Sequence, residues 1–438
     1  MASSTDIHIS GKHEGFEAFF DEERIPVCLG KQMFLVSGAW GEEFDNARLV
    51  SEFVDSLPDE AERERARKMI ANTGIAKRHH NWPPVLSKQE HADIINEQQV
   101  RVGAAITQES IEANGWDKGD VELLVAVNSA PLADDFAQQV ADEAGLARAQ
   151  TKLYSMACNG AIAAVHDILR TDGIERAVVT SVEGLSPGVN LNPGEVDIVS
   201  ATIFGNGCSS LAFAPAESVT LLAGRTVIVP DKTPTQSGKV GVIRMPSNLL
   251  LAWPEEEEQS SLPEWYVLSD EAEGLFAYGP EKVVMKMPET DSNYLEMEGV
   301  AARFFSREVS RVTFDFLKEY YDGELPHQYY PTGSPYEHHG DKLTRPETLF
   351  VIAHQPNEGI LILTGKMVNR KLRPAGPELI IPWVLDKVGK GNTSSDTILG
   401  AWGQFEREDR IPKGTPILIM GFGAGGSVTP LLIVVNEA

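Results

Sequence analysis

The chain has 438 residues, a formal charge of −26 and an apolar content of 42%, enough to bury one large core or two fused ones and too apolar for a disordered polymer. So acidic a protein is not drawn to nucleic acid or to an anionic membrane by long-range electrostatics, and docking an acidic carrier protein would require a local basic patch. Its three cysteines, Cys28, Cys158 and Cys208, cannot build a disulfide framework and fit a reducing compartment; the N-terminal residues MASSTDIHISGKHEGF lack a basic-then-apolar leader, so the cytoplasm is the expected location.

Ala92, Ile95, Gln99, Val102 and Ile106 recur at intervals of three and four and predict a helix with one buried face, Gln99 being its polar member. After GWDKGD, the run VELLVAVN is short and β-branched, as suits a strand covered on both faces. AVVTSVE, SSLAFAP, TLFVIA, PILIM and LLIVV repeat that grammar, with helical segments such as GAIAAVHDILR between several of them, and together they predict an α/β fold built on buried sheets. From about 216 to 292 the rhythm breaks at Pro230, Pro234, Pro246, Pro254 and Pro263, at the acidic run Glu255 to Glu258 and at a Gly-Pro turn, which reads as an insertion whose Leu249 to Trp253 patch packs on the body. Phe305, Val309, Val312 and Phe316 then resume a helical stripe. The expected plan is an extension over 1–33, a first half over 34–215, the insertion over 216–292 and a second half over 293–438. Thr415 to Val435 is apolar enough to suggest a membrane span, but Gly421, Gly423, Gly425 and Gly426 divide it into two buried strands joined by a glycine turn.

Three places carry chemistry-bearing side chains at the end of a strand or the start of a helix. In YSMACNGAIAAVHDILR, Cys158 precedes a small-residue helix whose N-terminus would favour a thiolate, although a free cysteine taken alone is more often buried and inert. In LFVIAHQPNEGI a buried strand delivers His354, and in GNTSSDTILGAW Asn392 stands just before a helix start. The remaining polar features read as structural. Glu183, ending AVVTSVE, could face a pocket but suits a structural contact, and His79-His80 and His338-His339 are not spaced as helical metal pairs, so no metal is expected.

Together the three segments resemble the Cys, His and Asn motifs of β-ketoacyl-carrier-protein synthase III, a member of the thiolase superfamily: ACNGA is similar to that family's ACAGF, HQPN to HQAN and GNTSSDTI to GNTSAASI. NTGIAKR, FGNGCSS and GFGAGGS likewise resemble RTGIRER, FGDGAGA and the closing FGGGFTW loop, so the likeness runs from about Phe34 to the C-terminus outside the insertion. The resemblance implies a five-layered αβαβα fold of two similar halves, usually a homodimer, in which Cys158 is acylated from a CoA or carrier-protein thioester, with no other cofactor. It implies an oxyanion hole from the backbone amides of Cys158 and Ala424, hydrogen bonds from His354 and Asn392 to a thioester carbonyl during decarboxylative Claisen condensation, and substrate contacts at Phe304, Asn357 and Phe136, the last reaching into the partner subunit's acyl tunnel, with packing in its own core as the competing reading. An amide at Asn392 favours condensation over acyl transfer to oxygen or nitrogen, since it donates to an enolate and does not orient a base. That transfer, or a non-catalytic role beside an active partner, is the alternative. Departures fall outside the triad: Lys68 replaces the tryptophan of the CoA-handling segment, Gly359 an arginine after HQAN, and Asn206 an aspartate. They suggest a specialised fatty-acid or polyketide enzyme.

Overall fold

The computed structural model describes residues 24–80, 88–130, 133–185, 189, 197–229, 243–246, 259–270, 272, 274–290, 296–297, 301–331, 345–373 and 376–437. The first sheet begins with β1 (Val27–Gly30), β2 (Met33–Ala39), β3 (Leu123–Val127), β4 (Gln150–Ser155), β5 (Ala177–Glu183) and β6 (Gly207–Phe213). The chain then crosses to the second sheet with β7 (Val219–Gly224), β8 (Thr226–Ile228) and β9 (Tyr266–Leu268), and returns to the first with β10 (Phe276–Tyr278) and β11 (Lys282–Met285). It ends in the second sheet with β12 (Thr348–Ala353), β13 (Glu378–Ile380), β14 (Ile417–Gly423) and β15 (Ser427–Val435). In the first sheet the order is β1-β2-β6-β5-β3-β4-β11-β10; in the second it is β9-β8-β15-β14-β12-β13, with β7 also paired to β15.

Six helices complete the layers: α1 (Lys88–Ala113), α2 (Phe136–Ala144), α3 (Gly160–Arg170), α4 (Ala301–Asp322), α5 (Glu358–Leu372) and α6 (Asp396–Arg407). α1 and α2 cover the outer face of the first sheet, and α4 and α5 cover that of the second. α3 and α6 contact strands of both sheets and lie between them, which gives the expected five layers. Composition explains the middle layer. Every residue of α3 from Gly160 to Ile168 is buried, so this helix needs an apolar or small residue on nearly all sides, and GAIAAV supplies it. β5 is buried along its whole length because helices cover both of its faces.

The stretch 216–292, read as an insertion between the two halves, contributes strands to both sheets. β7 and β8 pair antiparallel with β15, so the second sheet takes its first strand at Val219, well before the resumed helix at 301. β11 extends the first sheet parallel to β4. Buried Asp167 of α3 fastens this stretch: Tyr154 Oη, Tyr266 Oη at 3.2 Å and Trp265 Nε1 at 2.8 Å all donate to its carboxylate. Leu249 to Trp253 lies outside the described residues. Residues 27–30, assigned to an extension, form the edge strand β1 on β2. At the other end, the apolar glycine-broken stretch folds as the antiparallel hairpin β14–β15, and among the described residues no helix is long and apolar enough to cross a membrane.

Candidate active site

Cys158 sits in a tight turn, Ala157–Asn159, between β4 and α3, and it lines a cleft. The backbone is strained there. Ala157 (φ 45°) and Ser394 (φ 53°) are two of the four described non-glycine residues with positive φ, and Ser394 touches the sulfur. β14 must come very close to hold this turn: a Cβ on Gly423 would lie 2.9 Å from the Cys158 nitrogen, and one on Gly421 would lie 2.3 Å from Asn159 Oδ1. The glycines read earlier only as strand breakers are therefore what admits the nucleophile turn against the sheet.

The fold brings the three sequence candidates together. Cys158, His354 and Asn392 line the same cleft, whose other walls are mostly apolar, Ile203, Phe204, Ile243, Phe305 and Phe422 among them. His354 follows β12 directly, its backbone N–H donating to the Met420 carbonyl at 3.0 Å and its ring set edge-on to Phe422 with centroids 5.0 Å apart. Burial drives its pKa down to about 3, so the imidazole is neutral. Nδ1 meets Thr397 Oγ1 at 2.6 Å, and that oxygen also accepts from the Gln355 N–H at 3.2 Å and lies 2.9 Å from the Ser394 carbonyl. Asn392 precedes α6, and its Oδ1 accepts from the Ser394 N–H at 3.0 Å. This fixes the amide so that Nδ2 carries its free donors.

The backbone amides expected for an oxyanion hole, those of Cys158 and Ala424, both act on the Cys158 sulfur and pull its pKa down. The helix-start expectation for the thiol itself is corrected. Burial pushes its pKa up to about 12, against the Ser394 hydroxyl and the two amides, which pull it down, while the Glu183 charge pushes it further up. Desolvation of the partly buried sulfur outweighs the α3 terminus.

The peripheral assignments fare differently. Asn357 lines the cleft, but its Oδ1 is spent capping α5 on the Ile360 N–H at 3.0 Å. Phe304 stands behind the wall, edge-on to Phe305 at 5.4 Å. Phe136 is 0% exposed at the start of α2, packed with Val140 and Val178 in the core on the far side of the first sheet from the cleft. Its side chain is satisfied within its own chain. Cys208 is a small packed residue, its Sγ 3.5 Å from the Gly38 carbonyl.

Sequence reading undervalued Glu183. This carboxyl is completely buried at the C-terminal end of β5, where it accepts from the Ser129 N–H at 3.0 Å, the Ser129 hydroxyl at 3.1 Å, the Ser395 N–H at 3.3 Å and the Ser395 hydroxyl. Burial raises its pKa to about 8, against the Ser395 hydroxyl and the Ser129 N–H and hydroxyl, which pull it down, while the nearby Asp396 charge adds to the rise. The usable signal was an acid at the end of an otherwise apolar strand, the end at which open α/β sheets place their sites.

No family model and no curated protein matches the sequence. Solved structures do match. The 3-oxoacyl-[acyl-carrier-protein] synthase III of Aquifex aeolicus superposes with a TM-score of 0.57 at 14% identity, over 93% of this chain and 99% of that one. The priming β-ketosynthase of the R1128 polyketide pathway gives 0.56 at 16% identity, over 95% and 98%. The 1,3,6,8-tetrahydroxynaphthalene synthase of Streptomyces coelicolor, a type III polyketide synthase, gives 0.60 at 13%, over 94% and 100%. At these identities the likeness establishes the fold, which is the thiolase-like fold of these condensing enzymes.

Proposed function

We propose that the chain is an acyltransferase that takes an acyl group from a CoA or carrier-protein thioester onto Cys158 and condenses it with a malonyl- or β-ketoacyl-type thioester. The observation that carries this reading is the convergence, on one apolar-walled cleft, of a cysteine facing two backbone amides and of the side chains of His354 and Asn392. The amides suit the oxyanion of a tetrahedral intermediate, and the apolar walls suit an acyl chain. Because Asn392 Oδ1 is already occupied, its Nδ2 donors favour an enolate oxygen, and this supports carbon–carbon bond formation over transfer to an alcohol or amine. The reading includes a homodimer in the cytoplasm and a role in a specialised fatty-acid or polyketide pathway.

Intact-protein mass after incubation with a panel of acyl-CoAs and acyl-carrier proteins tests it. An acyl increment is expected on the wild type and not on Cys158→Ala, followed by loss of the increment and release of CO2 when a malonyl thioester is added. A wild type that stays unmodified across a broad panel would sink the proposal. Discharge by an amine or alcohol alone would replace condensation with simple transfer.

A further inference from the structure

Cys158 makes its side-chain hydrogen bond with Ser394, not with His354: Ser394 Oγ lies 3.2 Å from the sulfur. Ser394 Oγ is 2.5 Å from Ser129 Oγ, and Ser129 Oγ is 3.1 Å from Glu183 Oε1. The sulfur is thus joined to a buried carboxyl by two hydroxyls, one from the segment after β3 and one from the loop before α6. We infer that this chain is a proton relay, in which Glu183 takes the proton of the Cys158 thiol by way of Ser394 and Ser129. The inference rests on the reading of Cys158 as the nucleophile that receives the acyl group.

Counting hydrogens supports it. The path has three links and, with Glu183 ionised, three protons: once the Ser394 hydroxyl, which donates to the sulfur in the structure, turns to Ser129, the thiol donates to Ser394, Ser394 to Ser129, and Ser129 to the carboxylate. After transfer all three links reverse, with the Glu183 hydroxyl donating to Ser129, Ser129 to Ser394, and Ser394 to the thiolate. Both states leave no link empty and none doubly filled, so the shift needs only hydroxyl rotations and short hops. During acylation the electron pair of the S–H bond forms the new bond to the thioester carbonyl carbon, and the proton passes to Glu183. When the tetrahedral intermediate collapses, the donor's carbon–sulfur bond breaks and its electron pair leaves on the donor sulfur. The relay then runs back, the departing thiolate takes the proton, and Glu183 ends as a carboxylate.

The surroundings assign this work to Glu183. His354, held neutral with a pKa near 3 and engaged at Nδ1 with Thr397, is a poor proton acceptor for so reluctant a thiol. Among the described residues, the charged and titratable groups facing Glu183 are Asp396 and Cys158, and the Asp396 charge is met by Lys390 Nζ at 2.8 Å. Glu183, with its pKa near 8, changes charge in a range where an enzyme can use it as a base.

The test is the pH profile of Cys158 alkylation by iodoacetamide, with the label located by peptide mass because Cys28 is also exposed. With a relay, the wild-type rate climbs with pH and levels near pH 8 as Glu183 loses its proton. Ser129→Ala removes the middle hydroxyl but keeps the Ser129 N–H on Glu183. It is expected to abolish the levelling, leaving a rate that climbs steadily towards the thiol's own ionisation and falls about a hundredfold below wild type at pH 8. Ser129→Thr is expected to restore the levelling. Should Ser129→Ala fail to fold by circular dichroism, Ser394→Gly breaks the same path and accepts the positive φ at that position. An unchanged profile in the folded relay-broken variant overturns the inference. Absence of any acyl adduct on wild type with the alkylation break intact would remove the acylation reading and leave the relay standing, so the two failures are separable.

Discussion

Thr397 has one hydroxyl proton and two acceptors within reach, the Ser394 carbonyl at 2.9 Å and His354 Nδ1 at 2.6 Å. If the proton goes to the carbonyl, the imidazole must donate from Nδ1 and shows the cleft a bare Nε2. If it goes to Nδ1, Nε2 carries hydrogen and can donate to a substrate carbonyl. One bond rotation thus decides whether His354 is an acceptor or a donor, and burial has removed the imidazolium, which would donate from both nitrogens whatever Thr397 did. Condensation needs the donor form. Thr397→Val preserves shape and deletes the control; it is expected to lower condensation turnover about a hundredfold while leaving Cys158 alkylation within about threefold of wild type, because the relay does not pass through His354. Thr397→Ser is expected to restore turnover. Parallel measurement of turnover and alkylation checks this, and an equal loss in both would show that Thr397 serves only packing.

The element that sets the second half of the site is the loop before α6, held by a charge pair that solvent does not reach. Lys390 Nζ donates to Asp396 Oδ2 at 2.8 Å, to Ser37 Oγ at 2.7 Å and to the Cys208 carbonyl at 3.3 Å; Thr393 Oγ1 and Ser209 Oγ also donate to Asp396. This ties the segment carrying Asn392 and Ser394 to β2 and β6. Lys390→Met leaves the Asp396 charge buried without its cation and is expected to cost about 3–5 kcal/mol, read from urea unfolding. A loss under 1 kcal/mol would mean that Asp396 gives up its charge cheaply. The strands and α3 were legible because their patterns are local: AVVTSVE is short and rich in β-branched residues, and GAIAAV admits burial on all sides. The triad was legible because each member carries a motif in its own neighbourhood. The relay was not, since Ser129, Glu183 and Ser394 come from three elements and each is ordinary alone. Phe136 was read from a motif position, which names a residue without saying which face of the sheet it packs on. The crossing of 216–292 between sheets escaped because prolines mark where regular structure stops, not whether the next strand joins the old sheet or a new one. Its anchor on Asp167 joins residues about a hundred positions apart.

For the whole molecule, two electrostatic tendencies compete as pH falls. The formal charge of −26 opposes compaction, and acid would relieve it. Against this, His80, His166 and His354 are completely buried, and burial holds all three far below their ordinary pKa, His80 and His354 near 3. From pH 6.5 down to 5.0, an unfolded chain takes up a proton at each of these histidines that the folded chain refuses, a loss of about 2 kcal/mol of stability per histidine. Glu183 works in the opposite sense. Its raised pKa means that the folded state holds a proton the unfolded state has shed, so acidification over this window returns about 2 kcal/mol, and Asp167, also raised by burial, adds in that direction. Relief of surface repulsion contributes little here, because exposed carboxylates ionise mostly below pH 5 and charges more than about 8 Å apart are screened at physiological salt. The three histidines together outweigh Glu183, so unfolding takes up protons over this window. The urea midpoint at 0.15 M salt is therefore expected to be lower at pH 5.0 than at pH 6.5. A higher midpoint at pH 5.0 would mean that relief of the acidic surface, and not the neutral buried histidines, governs the acid limb of its stability.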